Sequence, residues 1–191
     1  VDAISSERLV NRLKVLSRVI KGEPIIVVAH IEALLNKIMN PDIYGSHFIC
    51  IDKEDTIDVE DLTNKFIQCG YEREHMVEAV GQFSIRGGII DFFPPSSQNP
   101  YRIELFGDEI DSIRIFDIES QRSLELVDQA YISPVKEVLI LDEYREAIIE
   151  NLNLDLKNAT KKLNKDPRVK ERLEEKFLEY IEEIRERVSI S

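Results

Sequence analysis

Period-two alternation over residues 82–117, punctuated at Gly87-Gly88 and at Gly107-Asp108-Glu109, constrains this chain more than any other feature. Two adjacent glycines between strand patterns offer both positive-φ positions of a two-residue hairpin turn. That turn sets Ile85 against Ile90 and Phe83 against Phe92, which makes a core face. The opposite face then carries Gln82, Ser84 and Arg86 beside Ile89, Asp91 and Phe93, and it is expected to be wet.

The next strand pattern, residues 101–106, buries Tyr101, Ile103 and Leu105 by the same rule and turns Arg102, Glu104 and Phe106 outward. An odd-length loop at 107–109 sets Ile103 against Ile113 and Tyr101 against Ile115, so Arg114 falls opposite Arg102. Like charges directly opposed are unfavourable, and an anion should relieve them, either Glu104 or a partner's carboxylate or phosphate. Two readings of this face stand side by side. One is a solvated sheet face whose Phe93 and Phe106 are covered by a helix or a neighbouring domain. The other is a protein-binding hot spot, because arginine and aromatic side chains dominate interface energetics.

With 43% hydrophobic residues, 7 Gly and 7 Pro in 191, the chain is globular rather than disordered or fibrous. A net charge of −12 argues against non-specific DNA binding, which needs Lys and Arg to displace phosphate counterions. No apolar run approaches the ~20 residues of a membrane span, and residues 1–30 lack a signal-peptide pattern, so a cytoplasmic location is expected. Cys50 and Cys69 fit no metal or redox spacing and read as free packing thiols.

Ile4, Ser5 and Ser6 predict the entry of a helix, with Leu9, Leu13, Leu16 and Ile20 as its buried stripe and Gly22 at its end. Residues 24–29 are a short β-branched run of the kind a parallel sheet buries on both faces; residues 30–39 predict the following helix, stopped before Pro41. Strands are expected at 48–52 and 71–80, a helix at 59–69, then the two hairpins, with 120–127 and 130–132 continuing the strand pattern. Beyond Pro134 the composition shifts to helix formers. Asp142 predicts the cap of one helix, and Asp166-Pro167 the start of another carrying Val169, Leu173, Phe177, Ile181, Ile184 and Val188 on one side. The charges at 170–187 fit a solvated face with i,i+4 pairs or, alternatively, a partner-binding helix. Three segments are expected: a βα fragment at 1–40, an α+β domain at 41–138 and a helical segment at 139–191.

Catalytic patterns are missing. Neither a phosphate loop nor G-x-G-x-x-G occurs, so no nucleotide site is expected. Gly87-Gly88 reads as a turn rather than a phosphate cradle. His30, His47 and His75 show no i,i+4 pairing, which makes a metal site unexpected. Asp108, Glu109 and Asp111 read as a charged hairpin tip without the spacing of a calcium loop.

The runs GQFSIRGGIIDFFPP at 81–95, PYRIELFGDEIDSIR at 100–114 and FDIESQRS at 116–123 closely resemble the UvrB-homology module of the bacterial transcription-repair coupling factors, the Mfd family. Weaker similarity reaches back to residues 25–28 and forward to Pro134. The excision-repair protein UvrB shares the pattern more distantly: there the second turn glycine is usually acidic and the stretch 121–123 reads differently. The resemblance implies an α+β fold, an antiparallel-sheet module like the second domain of UvrB, with flanking helices and a βα fragment of a degenerate helicase-like domain whose earlier strands would precede residue 1. It implies UvrA as the partner, and carries the family's contact residues onto Arg86, Arg102, Glu104 and Phe106, with Arg114 as an additional candidate. It also implies a non-catalytic piece without cofactor in a parent that binds ATP, DNA and RNA polymerase through other domains, and whose C-terminal domain masks this surface. The alternative is the equivalent region of UvrB itself, a fragment of an ATP-dependent excision nuclease subunit.

Overall fold

A computed structural model describes residues 3–35, 38–162 and 167–186, with side chains from residue 7 onward in the first helix and through 161 and 185 at the ends of the last two. Two compact units divide it at 139/140.

The first unit opens with helix α1 (Ala3–Ile20), which runs across the Ile4–Ser6 stretch expected to cap it; those side chains lie outside the described residues. Leu13 is buried, Leu16 and Ile20 are half-buried, and Leu9 is exposed. Gly22, at φ +68, ends the helix with its N–H on the Val19 carbonyl while the Glu23 N–H reaches Arg18. Residues 24–29 form no regular element and pair with no strand among the described residues, and Ile26 and Val28 are almost fully exposed. The expected strand is therefore not formed among the described residues, because a strand needs a neighbouring backbone to supply its hydrogen bonds. The helix expected over 30–39 is α2 (Ile31–Leu35); positions 36–37 lie outside the described residues, and 38–40 are not helical. Pro41 starts a helix rather than merely stopping one. In α3 (Pro41–Gly45) it holds a first-turn position, where its missing N–H is no loss, and the Asn40 side chain caps Asp42 N at 2.8 Å.

Strand β1 (Ile49–Asp52) and helix α4 (Val59–Gln68) follow. Asp58 caps α4 by accepting from the N–H groups of Glu60 and Asp61, so Leu62 and Phe66 turn into the core. The strand expected over 71–80 shrinks to β2 (Glu72–Arg73), which pairs parallel to β3 (Gln82–Arg86) and makes the sheet mixed. Residues 74–80 instead leave the sheet and fold over its outer face: Val77 buries against Phe93 and Phe116, and the Gln82 side chain holds the N–H groups of Glu78 and Ala79.

Strands β4 (Ile89–Phe92), β5 (Tyr101–Phe106), β6 (Glu109–Phe116) and β7 (Ser123–Val127) complete a six-stranded sheet in the order β2-β3-β4-β5-β6-β7; β8 (Gln129–Ile132) pairs with β1 in a separate two-stranded sheet. The registers agree with the alternation: Ile85 opposite Ile90, Phe83 opposite Phe92, Ile103 opposite Ile113 and Tyr101 opposite Ile115. The inner face and α4 enclose one core built on Phe66, Phe83, Phe92, Ile90, Ile103 and Ile113, with Ile85 and Leu105 half-buried beside it. Phe66 stacks on Phe83 with centroids 4.8 Å apart. The fold is α+β.

The hairpin turn departs from the expected chemistry. Gly87 alone has positive φ, +59, the sign pattern of a type II′ turn. Gly88 is needed for space instead: a Cβ there would stand 2.9 Å from the Leu105 carbonyl oxygen, which belongs to the strand that crosses closest.

In the second unit, Asp142 does not cap a helix. It begins a single 3-10 turn and pairs with Arg145, the first residue of α5 (Arg145–Lys162). Helix α6 (Pro167–Glu186) has Pro167 at its first position, whereas the expected cap Asp166 and the stripe residue Val188 lie outside the described residues. Ile181 and Ile184 of α6 bury against Ile149 of α5, leaving Val169 largely exposed.

Candidate functional site

The outer face of the six-stranded sheet is ordered in cross-strand rows. Ser84, Asp91, Arg102, Arg114 and Leu126 stand in one row across β3 to β7, and Arg86, Ile89, Glu104 and Ser112 form the next row toward the turns. Phe106 lies beyond Glu104 on the same strand and face, opposite Glu109. The β-bulge between Glu104 and Leu105 adds its extra residue on β6, so alternation along β5 continues through Phe106.

Half of this face is not wet. Ser84, Asp91 and Phe93 are buried, because residues 74–80 and the 117–122 turn lie over them. The Ser84 hydroxyl donates to the His75 carbonyl at 2.9 Å, and Gln121, the one described non-glycine residue with positive φ, donates its amide to the carbonyls of Val77 and Ile118. What remains open is the turn end, where Phe106 is 83% exposed and Ile89 is accessible, and the β7 edge, where Leu124 and Leu126 are exposed.

Arg102 and Arg114 do sit opposite each other, but no outside anion is needed. Asp91 accepts from Arg102 Nε at 2.7 Å and from its Nη2 at 2.8 Å, a two-pronged pair. Arg102 Nη1 donates to the Gln121 carbonyl at 3.3 Å, and the guanidinium lies over the Phe116 ring at 4.4 Å. Its side chain is 16% exposed, and the Asp91 bond raises its pKa further against the opposing effect of burial. Arg102 lies on the outer face as the alternation places it, but it is anchored rather than free, and the expectation of an exposed cation is corrected. Arg114 takes the other escape that its position offered: Nη2 meets Glu104 Oε2 at 3.4 Å and Nε meets the Ser112 hydroxyl, which itself donates to Glu104 at 3.0 Å. Both members of that pair are one-third exposed, so it contributes little to stability.

Arg86, 47% exposed, reaches the same Asp91 with Nη2 at 2.8 Å. The structure therefore gathers Arg86 and Arg102 on one buried carboxylate, joins Glu104 to Arg114, and leaves Phe106 as the large exposed apolar group on the same face. Asp91 and Gln121 were missed as members of this arrangement. Alternation places Asp91 on the outer face, but its register against Arg102 depends on the 93–100 connection, which no short-turn rule sets.

On this face the exposed Phe106 and the accessible donors of Arg86 stand with the carboxylates of Glu104 and Glu109, and arginine and aromatic side chains are the types enriched at protein interfaces. Among the described residues no helix is long and apolar enough to cross a membrane.

Comparison with known proteins places this geometry in a recognisable setting. Residues 49–138 match the family described as UvrB interaction domain. The chain is similar to the transcription-repair-coupling factor of Bacillus subtilis (strain 168), 39% identical over 166 residues, which is 87% of this chain and 14% of that protein. The factor of Staphylococcus aureus (strain USA300) is 34% identical over 164 residues, 86% of this chain and 14% of the relative. The chain spans about 14% of the length of the curated relatives it matches.

Proposed function

We propose that this chain, whose residues 49–138 belong to the UvrB interaction domain family, is a non-catalytic docking module of a transcription-repair coupling factor, and that its outer sheet face binds UvrA. The observation that carries the reading is Phe106, an aromatic side chain 83% exposed on the same face as Arg86, Arg102, Glu104 and Arg114. A buried aromatic anchor surrounded by charge-assisted hydrogen bonds is the usual energetic centre of an interface. The three arginines of the face are balanced by Asp91, Glu104 and Glu109, so it is close to neutral in a chain of net charge −12, and the accessible donors of Arg86 suit a carboxylate on UvrA.

In this reading the parent protein displaces stalled RNA polymerase with an ATP-driven motor outside the chain, and the module brings UvrA to the lesion in the bacterial cytoplasm. ATP and DNA contacts then belong to the parent's other parts, and this piece uses no cofactor. The parent's C-terminal domain would mask the same face until it is needed. Relatives named as coupling factors support this over the alternative of an excision nuclease subunit.

Titration of the chain with purified UvrA, followed by calorimetry, tests the proposal. Saturable one-to-one binding that weakens on Phe106→Ala is the expected result. Absence of binding, or equal affinity for Phe106→Ala and Arg86→Ala, overturns it.

A further inference from the structure

Asp91 is 0% exposed, yet it lies on the face whose outer half is open. Both of its carboxylate oxygens are committed: Oδ1 to Arg102 Nε at 2.7 Å, and Oδ2 to Nη2 of Arg102 and Nη2 of Arg86, each at 2.8 Å. Stranding an ionised carboxylate away from water is costly unless its partners are held in good geometry. Burial of this acid therefore restricts the two guanidinium groups as much as they restrict it.

The two arginines are held unequally. Arg102 gives Nε and Nη2 to Asp91 and Nη1 to the Gln121 carbonyl, and its plane rests on Phe116. Arg86 gives Asp91 only Nη2, remains 47% exposed, and stands one row closer to the Phe106 end. One carboxylate against two guanidinium groups leaves the trio a single positive charge, and Arg86 is the member with accessible donors.

We infer that Asp91 is a positioning residue for the docking face: it holds the Arg86 guanidinium ready to meet a carboxylate of the partner. The inference rests on the docking function proposed above. A flexible arginine loses side-chain freedom when it binds, and that loss opposes association. A guanidinium already fixed by a buried acid has lost much of that freedom during folding. Part of the trio's charge is neutralised in advance, and the remaining positive charge is concentrated at the accessible edge.

A double-mutant cycle on the full chain, titrated with UvrA, tests this. Arg86→Ala alone should weaken binding; if it does not, the docking face is misassigned and this inference falls with it. Given that loss, Asp91→Asn should weaken binding about tenfold in the parent chain and hardly at all in the Arg86→Ala background, since the two act through one guanidinium. An equal loss in both backgrounds would mean that Asp91 only supports the fold, which overturns positioning while leaving docking intact. Should Asp91→Asn fail to fold, ¹⁵N relaxation of the unsubstituted chain gives the answer. The Arg86 Nε–H should be nearly as ordered as that of Arg102 and more ordered than those of the exposed Arg73 and Arg122; an Arg86 as mobile as those two overturns the inference.

Discussion

Arg102 stands directly opposite Arg114 across β5 and β6, and each is neutralised by a different acid: Arg102 by the buried Asp91 one strand away, Arg114 by Glu104 on the neighbouring strand. The same residue type at paired positions therefore has unequal energetic weight. Asp91 has no water to fall back on, whereas Glu104 and Arg114 are both partly solvated.

That asymmetry separates two otherwise similar substitutions. Arg102→Ala leaves Asp91 buried with Arg86 alone and should destabilise the fold by about 3 kcal/mol. Arg114→Ala breaks a pair one-third exposed and should cost about 0.5 kcal/mol. Urea denaturation of the two variants checks the order, and equal midpoints would contradict it.

Phe106 and Ile103 sit on one strand with opposite roles. Phe106→Ala removes a side chain that makes no core, so the thermal midpoint should hold while UvrA affinity falls by about 2 kcal/mol or more. Ile103→Ala opens a cavity beside Ile90 and Ile113 and should cost about 2–5 kcal/mol of stability. Under conditions where Ile103→Ala remains folded, it should bind nearly as the parent does. Calorimetric unfolding and titration on the same samples read both quantities.

Gly88→Ala tests the turn. Its Cβ would meet the Leu105 carbonyl oxygen at 2.9 Å, and that crossing also carries the 2.7 Å bond from Leu105 N–H to the Gly88 carbonyl. Backbone on both sides must shift, so a loss of about 1–3 kcal/mol is expected. Unchanged stability would show that β5 relaxes freely.

Alkaline pH should weaken the first unit. Burial pushes the Cys69 thiol from 9.0 up to about 12, and burial likewise raises the phenols of Tyr44 and Tyr71 well above 10.0, in Tyr71 despite its 3.0 Å bond to the Ser133 carbonyl. In each case the folded state keeps a proton that the unfolded chain has released. The resulting stability is full below pH 9.0 and is lost as pH rises from there toward about 12. Urea midpoints at pH ~8 and ~10.5 should show the fall, and Cys69→Ala should make it shallower; an equal slope would remove Cys69 from the account.

Alternation by itself determined the inner face, the β3–β4 and β5–β6 registers, and the outward direction of Arg86, Glu104 and Phe106. Side chains one residue apart on a strand must point to opposite faces, and a short loop leaves few registers. Gly22 was equally local, ending its helix through its own positive-φ backbone. Tertiary structure alone decided which outward residues meet water. Residues 74–80 fold over Phe93 and Phe116 instead of extending β2, because apolar burial of Val77 on that face depends on groups distant in sequence. The same distance hid Asp91: the 93–100 connection sets β4 against β5, and only that pairing turns an outward acid into the buried partner of Arg102. Residues 24–29 show the converse limit. Their β-branched composition favours a strand, but a strand exists only where another backbone supplies its hydrogen bonds, and none of the described residues does.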